Sequence, residues 1–351
     1  MRAAGLVADG TVPRARGDDG RSGSRAARRH VVTRRALVTG GHGFVAQWAI
    51  GAMLDRGWSV TAAGVGPPVE GGPLDSDRRA MVRWEVLDVT QQAQVGEVVE
   101  RTAPELILHL AAISRVLDAV RDPGQAYDVN TVGTVRLLTE VARLKHASAC
   151  DPAVLVVGSA EQYGRHEASE MPLDETAAQR PLTLYAASKT AQEVAALQAH
   201  RSDGLRVVCT RSFNHSGPGQ PAEFLLPALV ARARALPQSG GRLAIGNGDT
   251  VRDFLHVADV VEAYLALLEL GAAGETYNVC SGEGASVRAL AELVLQRVGA
   301  SAEISSDPAL TRPVDVPVQI GNNAKLRHAT GWTPRHTRED IIDDLIHAAT
   351  R

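Results

Sequence analysis

What this chain of 351 residues lacks excludes several classes of protein. It has no apolar run of about 18 or more residues, so no membrane span is predicted. Three cysteines (Cys150, Cys209 and Cys280) are too few for a disulfide framework and have no paired spacing for zinc. With 37 basic and 40 acidic residues, the net charge of -3 provides no basic surface for nucleic acid. We therefore expect a globular, cytoplasmic protein with no metal site.

Lysine is also scarce, because only Lys145, Lys189 and Lys325 occur among the 37 basic residues and the rest are arginine. This imbalance is typical of codon bias. A lysine that falls in a motif is therefore a strong candidate for a functional residue.

From residue 35 onward, strand-like and helix-like patterns alternate, which predicts an α/β fold with a Rossmann-type doubly wound parallel sheet. Residues 1–33 lack apolar periodicity and are predicted to be a disordered extension. Five or six parallel strands are expected, at Ala36–Val38, Trp58–Ala63, Val82–Val86, Leu106–Leu110, Val154–Val157 and Leu205–Cys209.

After about residue 214 several prolines interrupt the pattern, and short strands are expected at Leu243–Ile245 and Thr276–Val279. The sequence therefore predicts a nucleotide-binding domain at 35–214. Residues 215–351 are expected to form a smaller substrate-binding lobe, interleaved with the last strands of the sheet.

A glycine-rich turn, Thr39-Gly40-Gly41-His42-Gly43-Phe44-Val45-Ala46, lies between the first strand and the first helix. Such a turn directs backbone N–H groups and a helix N-terminus toward a pyrophosphate. The spacing is G-x-x-G-x-x-A, and glycine turns also occur simply to reverse the chain. The flanking strand and helix favour a dinucleotide site.

The second strand ends in Gly64, where an NAD-binding site would place an acidic residue. NADP(H) should therefore be accepted. Arg78 and Arg79 are candidates for its 2′-phosphate, although each could simply be a solvated loop arginine. The cofactor, NADP(H) or NAD(H), is expected to contact Gly40, His42, Gly43, Phe44, Val45, Asp88, Val89, Leu110, Ala111, Ala112, Tyr185 and Lys189. Asp88 has an alternative role as the cap of the next helix.

Tyr185 and Lys189 are four residues apart in Tyr185-Ala186-Ala187-Ser188-Lys189, so a helix would place them on one face. A lysine ammonium in that position would favour the tyrosine phenolate. Ser159 and Glu161 lie upstream, after the fifth predicted strand. We predict that Ser159, Tyr185, Lys189 and Glu161 form the catalytic group.

Residues 35 to about 347 resemble the extended short-chain dehydrogenases/reductases that act on nucleotide sugars. The resemblance depends on the glycine turn, on Ser159, Tyr185 and Lys189, on Asn130, and on the strings Arg211–Gln220, Arg252–Val260, Tyr277–Gly282 and Arg312–Pro317. It is strongest to GDP-4-dehydro-6-deoxy-D-mannose reductases and GDP-mannose 4,6-dehydratases. Ser212 departs from the family pattern, which more usually has proline there.

The resemblance implies that Asn130, Asn214, Arg252, Arg312 and Asp315 bind the substrate. In this interpretation Asn214 and Arg252 hold the diphosphate, while Arg312 and Asp315 face the guanosine. Without the resemblance, Arg252 and Asp253 would be interpreted as an internal salt bridge.

The expected function is NAD(P)H-dependent reduction of the 4-keto group of a GDP-4-keto-6-deoxy-hexose to a GDP-6-deoxy-hexose of the GDP-D-rhamnose type. The alternatives are an NADP-dependent GDP-mannose 4,6-dehydratase, in which Glu161 would move a proton at C5 or C6, and a nucleotide-sugar 4-epimerase. The resemblance also implies a homodimer, formed through the fourth and fifth helices of the nucleotide-binding fold.

Overall fold

The computed structural model describes residues 33–66, 72–237, 239–311 and 316–349. Apart from Thr33, the N-terminal extension predicted at residues 1–33 lies outside the described residues, so its disorder stays a prediction. The described part of the chain contains these strands: β1 (Arg35–Thr39), β2 (Ser59–Gly64), β3 (Arg83–Val86), β4 (Leu106–His109), β5 (Ala153–Ser159), β6 (Arg206–Ser212), β7 (Asn214–Ser216), β8 (Gly241–Ile245), β9 (Val251–His256), β10 (Thr276–Val279), β11 (Gly284–Ser286), β12 (Ala302–Ser306) and β13 (Val318–Gln319).

The helices of the same ranges connect and cover these strands. They are α1 (Phe44–Asp55), α2 (Ser76–Ala80), α3 (Gln92–Thr102), α4 (Val116–Arg121), α5 (Pro123–Tyr127), α6 (Gly133–His146), α7 (Leu184–Asp203), α8 (Leu225–Arg234), α9 (Val257–Leu270), α10 (Val287–Val298), α11 (Ala324–Thr330) and α12 (Arg338–Ala348). None of them combines the length and apolar composition that a membrane span requires.

The main sheet has seven parallel strands in the order β10-β6-β5-β4-β1-β2-β3. The predicted Rossmann-type doubly wound sheet is therefore confirmed. The predicted number of five or six strands is wrong, because β10 pairs with β6 as a seventh parallel strand. Its four residues are all buried, as a strand inside a covered sheet requires.

Two layers of helices cover the sheet because the apolar strands expose both faces to a core. Apolar side chains of α1 and α9 pack on one face. Those of α3, α6 and α7 pack on the other. The strand order reverses between β1 and β4, which opens a crevice at the carboxyl ends of these two strands.

A third core lies among α8, α10 and α12 and the strands β8 and β9. There β9 pairs with β7, β11 and β13, and β8 pairs with β12. The division into domains at 35–214 and 215–351 stays a prediction, and the chain from Thr33 onward forms one compact unit.

Candidate active site

The glycine turn between β1 and α1 is built for close approach of a ligand. Gly40 has a φ of +65°, and a Cβ there would lie 2.8 Å from the backbone nitrogen of Ala111. Gly43 caps α1 without a side-chain hydrogen bond, so the first N–H groups of the helix keep their capacity to bind an anion. The Nδ1 atom of His42 is buried and has no hydrogen-bond partner. These features fit a dinucleotide pyrophosphate.

The other predicted cofactor residues border the same crevice or support it. Ala111 donates its N–H to the Thr39 hydroxyl at 3.3 Å, which ties the segment after β4, including Leu110 and Ala112, to the end of β1. The Phe44 ring stacks on His215 with 6.4 Å between centroids. Val45 packs against the core beneath the turn. The crevice therefore connects the glycine turn to β7.

Asp88 and Val89 follow β3 at the same edge. The carboxylate of Asp88 accepts from the Thr90 N–H at 2.9 Å and from its hydroxyl at 2.8 Å. The helix α3 is instead capped by Gln91, so the alternative interpretation of Asp88 as the helix cap is wrong. Val89 is buried in the core, so its side chain supports the edge.

The two arginines considered for a 2′-phosphate lie on the short helix α2. Arg78 donates to the carboxylate of Asp55 at 2.9 Å. Arg79 donates to the carbonyl of Leu74 at 3.0 Å and to the Gln47 side chain at 3.0 Å. Both guanidinium groups therefore bind other groups of the protein. The alternative interpretation expected two arginines in contact with solvent alone.

The predicted catalytic residues come together at the carboxyl edge of the sheet. Ser159 ends β5, and Tyr185 and Lys189 occupy successive turns of α7. The Thr183 hydroxyl caps α7 by accepting from the Ala186 N–H at 3.0 Å, which sets the first turn and with it Tyr185. Ser159 is close enough to Tyr185 for a side-chain interaction between the two to lower the pKa of the phenol. Both residues are buried at this edge, with 9% of each exposed.

The ionisation of this pair differs from the expectation. Burial raises the pKa of Tyr185 to about 12, the interaction with Ser159 opposes the rise, and the charge of Glu161 adds to it. Lys189 donates instead to the carbonyl of Val157 and to Gln192, both at 2.8 Å. These contacts do not support a role for Lys189 in holding Tyr185 toward the phenolate, and burial keeps the Tyr185 phenol protonated at neutral pH.

Glu161 lies two residues after Ser159 in the 3₁₀ turn Ala160–Tyr163. Its N–H donates to the Ser159 hydroxyl at 3.2 Å. The Glu161 side chain is half-buried, and its charge raises the pKa of Tyr185. The structure thus brings all four predicted catalytic residues to one place.

Asn130 does not lie where a substrate could reach it. Its side chain is 0% exposed, accepts from the N–H of Ile113 at 2.8 Å, and donates to the carbonyl of Ile113 at 3.1 Å. It also donates to the Ser188 hydroxyl at 3.0 Å. The substrate-binding role predicted for Asn130 is not what this geometry supports, because these bonds tie the segment after β4 to α7.

The predicted diphosphate ligands lie on neighbouring strands. Asn214 on β7 faces β9, where its amide nitrogen is 3.5 Å from the carbonyl of Asp253. Arg252 on β9 donates to the carbonyl of Val251 at 2.9 Å. The carboxylate of Asp253 is instead held by the Ser281 hydroxyl at 2.6 Å and the Gly282 N–H at 2.9 Å. The interpretation of Arg252 and Asp253 as an internal salt bridge is therefore wrong.

Arg312 and Asp315, the predicted guanosine ligands, lie outside the described residues. In the ranges that the structure describes, no three His, Cys, Asp or Glu side chains are grouped as metal ligands.

Sequence reasoning missed a buried ion pair that supports Ser159. Glu193 on α7 accepts from two guanidinium nitrogens of Arg211, at 2.7 Å and 3.0 Å. It also accepts from Gln162 at 2.7 Å, and Gln162 in turn accepts from the Ser159 N–H at 2.8 Å. The available signal was the i, i+4 spacing of Lys189 and Glu193, which places both on one side of the helix.

Comparison with known proteins defines the class. The family described as GDP-mannose 4,6 dehydratase matches residues 37–345, and the chain belongs to this family. The resemblance drawn from the motifs, to extended short-chain dehydrogenases/reductases of nucleotide sugars, is thereby confirmed.

Individual relatives narrow the comparison. A GDP-6-deoxy-D-mannose reductase of Pseudomonas aeruginosa is 36% identical over 69% of this chain and 79% of its own length. A GDP-6-deoxy-D-talose 4-dehydrogenase of Aggregatibacter actinomycetemcomitans is 31% identical over 86% of this chain and 93% of its own length. The structure of RMD from Pseudomonas aeruginosa complexed with NADPH superposes with a TM-score of 0.74 at 31% identity. The superposition covers 90% of this chain and 98% of the RMD chain.

Proposed function

We propose that this protein is an oxidoreductase that reduces the 4-keto group of a GDP-4-keto-6-deoxy-hexose to a GDP-6-deoxy-hexose, with NADP(H) or NAD(H) as cofactor. The observation that carries the proposal is that Ser159 and Tyr185 interact at the edge of the sheet where β1 leads into the glycine turn. Two relatives named for GDP-6-deoxysugar redox reactions, and the NADPH complex of RMD from Pseudomonas aeruginosa, support the choice of substrate and cofactor.

The reaction needs one hydride and one proton. A bound nicotinamide supplies the hydride to the sugar C4. Tyr185 donates its phenolic proton to the C4 oxygen, which its raised pKa allows because the phenol stays protonated at neutral pH. Ser159 donates a hydrogen bond to the same oxygen as negative charge develops there. Lys189, one helical turn from Tyr185, orients the cofactor ribose.

The sugar nucleotide is assigned to the side of the crevice formed by β7 and β9. Asn214 and Arg252 are the proposed ligands of the diphosphate, because an amide and a guanidinium present donors to phosphate oxygens. Arg312 and Asp315 are the proposed ligands of the guanosine.

The proposed cofactor preference follows from Gly64. A carboxylate at this position would bind the ribose of NAD and repel a 2′-phosphate, and glycine does neither. We expect NADPH to be used at least as well as NADH. Measuring kcat/KM for both cofactors checks this, and a preference for NADH of about a hundredfold would contradict it.

The decisive experiment supplies the GDP-keto sugar and NADPH, follows NADPH oxidation, and identifies the product by NMR. Tyr185→Phe should lower kcat by about 10² or more while NADPH binding persists, because only the proton donor is lost. Tyr127→Phe on α5 is the matched control. The control Tyr127→Phe should keep the wild-type activity. If Tyr185→Phe keeps it as well, Tyr185 is not the acid.

Glu161 separates the reductase from the dehydratase. Reduction needs no further acid or base, so Glu161→Gln should keep most of the activity. Dehydration needs a group that moves a proton near C5 and C6, and Glu161 is near enough to Tyr185 for its charge to affect that phenol. If the wild-type protein forms a keto sugar from GDP-mannose without added reductant, and Glu161→Gln does not, the dehydratase function replaces the reductase.

A homodimer is the proposed assembly, formed through the fourth and fifth helices of the nucleotide-binding fold, α6 and α7. Exposed apolar side chains lie on these helices and on α4, which packs against α7. Leu117 is 68% exposed, Val120 57%, Val135 42% and Val194 57%. Such a surface is typical of an interface. Sedimentation analysis should give a dimer that Val194→Lys weakens.

The cytoplasmic location stays a prediction.

A further inference from the structure

The amino group of Lys189 is held inside the protein by two acceptors. The side chain is 4% exposed, and its Nζ donates to the carbonyl of Val157 and to the Oε1 of Gln192, both at 2.8 Å. The carbonyl belongs to the backbone of β5 and cannot turn away. The amide of Gln192 can rotate, so a second set of contacts must fix which of its ends faces the lysine.

Those contacts form a buried chain that runs from α7 through α6 to β4 and β1. The amide nitrogen of Gln192 donates to the Thr134 hydroxyl at 2.8 Å. The same hydroxyl lies 2.8 Å from the Nε2 of His109, and the Nδ1 of His109 lies 2.7 Å from the Thr39 hydroxyl. All four side chains are no more than 1% exposed. They contribute no charge, since burial and the charge of Lys189 lower the pKa of His109 to about 3.

One placement of the protons satisfies every bond of the chain. The Thr134 hydroxyl donates its single proton to the carbonyl of Asn130 at 2.8 Å. Thr134 must therefore accept from both Gln192 and the Nε2–H of His109. The Nδ1 of His109 then accepts from the Thr39 hydroxyl. With its nitrogen directed to Thr134, Gln192 can present only its oxygen to Lys189.

We propose that Gln192 is a positioning residue for Lys189, and that the chain Thr134, His109 and Thr39 fixes the orientation of the Gln192 amide. The proposal rests on the proposed function in so far as Lys189 serves that reaction. The chain is a support and not a proton path, because an amide nitrogen does not pass a proton on at neutral pH. The chain keeps the amino group of Lys189 in one place. Two of its three N–H donors bind Val157 and Gln192, and the third stays directed away from these two acceptors.

The surroundings of Lys189 make its ionisation a direct readout of this support. Burial lowers the pKa of Lys189 to about 7. The charge of Lys189 acts on His109 of β4, which is neutral at ordinary pH, and Tyr185 lies one turn earlier on α7. Glu193 is adjacent to Gln192 in sequence, but its carboxylate binds Arg211. A charge placed at residue 192 should therefore act on Lys189 with little competition.

The test is an NMR titration of the protein labelled with [ε-¹³C]lysine, which needs neither substrate nor turnover. Only three lysines are present in the whole chain, so each variant gives three signals, assigned by Lys145→Arg and Lys325→Arg. Gln192→Glu should raise the pKa of Lys189 by about 1 to 3 units. Gln198→Glu, the same change on the exposed side of α7, should leave it unchanged.

The supporting chain is tested at Thr134. Thr134→Val removes the hydroxyl at constant shape and should shift the Lys189 titration, whereas Thr134→Ser keeps the hydroxyl and should restore the wild-type value. An unchanged titration in Gln192→Glu overturns the role of Gln192. A shift in Gln192→Glu without one in Thr134→Val overturns the role of the chain.

Activity is a separate arm of the experiment. If the proposed function is correct, the pH profile of kcat should move in Gln192→Glu in the same direction as the NMR titration, with KM for the sugar nearly unchanged. If the reductase assay shows no activity in any protein, the proposed function fails. The NMR titration still decides the role of Gln192 in that case.

Discussion

Two neighbouring residues of α7, Gln192 and Glu193, lie in buried polar surroundings that differ in charge. Gln192 faces α6 and belongs to a neutral chain of amide, hydroxyl and imidazole groups. Glu193 faces β6 and forms an ion pair with Arg211, with side chains only 5% and 7% exposed. Burial by itself would lower the pKa of Arg211, but the hydrogen bonds that Arg211 donates to Glu193 and the charge of that carboxylate outweigh burial and raise the pKa.

The difference between the two sides shows how one helix can be supported in two ways. A neutral network that loses one member leaves an unsatisfied polar group, which costs about 1 to 3 kcal/mol. A buried pair that loses one member leaves an unpaired charge, which costs more. We therefore expect the charged side to determine the stability of the site and the neutral side to tune Lys189.

The largest effect is expected from breaking the charged side. Glu193→Leu should lower the free energy of unfolding by about 3 to 5 kcal/mol, because Arg211 stays buried without a partner. Urea unfolding measures this. Asp343→Asn, which breaks a more exposed pair with Arg297, should cost less than about 1 kcal/mol.

The double variant Glu193→Leu with Arg211→Met tests whether the loss of stability comes from the unpaired charge of Arg211. Removing both charges should recover most of the lost stability, since no charge then remains buried. If Glu193→Leu costs no more than Asp343→Asn, the ion pair does not stabilise this side of α7.

A smaller effect is expected from pH on the neutral side. The folded-state pKa of His109 is lowered from its ordinary 6.5 to about 3, so between these values the unfolded chain binds the additional proton. The stability that neutral His109 provides is therefore present above pH 6.5 and is lost as the pH falls. From pH 6.5 to 5 the loss should be about 2 kcal/mol.

Comparison with His109→Gln isolates this contribution. The difference in unfolding free energy between wild type and variant should narrow by about 2 kcal/mol over the same interval. A difference that stays constant with pH would show that His109 does not titrate as its burial requires.

The smallest effect is expected from a neutral pair away from Lys189. Ser212 is bonded to the hydroxyl of Tyr264 at 2.7 Å. Ser212→Ala should cost about 1 kcal/mol in thermal or urea unfolding. Adding Tyr264→Phe should cost less than the sum of the two single changes, because both partners of one bond are then gone. Strict additivity would contradict the bond.

Much of the nucleotide-binding half could be predicted from local pattern. The strand before Gly40 and the helix from Phe44 were predicted nearly to the residue, since an apolar run, a glycine turn and a helical apolar face are local signals. Lys189 was identified because lysine is rare in this chain. The pairing of β10 with β6 was not predicted, because the sequence of a four-residue strand does not specify its neighbour.

Other interpretations failed where a side chain had two possible partners. Asn130 was predicted to bind substrate, but it bridges Ile113 and Ser188. Asp253 is adjacent to an arginine in sequence, but its carboxylate accepts from Ser281, Gly282 and Gly321. Hydrogen bonds between distant segments depend on the packed fold, and a single sequence does not encode them as a spacing.

The sequence by itself determined the class of fold, the glycine turn and the presence of Ser159, Tyr185 and Lys189, because each of these is carried by residues close together or by a short pattern. Only the tertiary structure decided the ionisation of the site. Burial keeps Tyr185 protonated, and the packing of α7 against α6 and β5 directs Lys189 toward Gln192 and Val157. The charge state of a group depends on the dielectric and the partners around it, which exist only once the chain has folded.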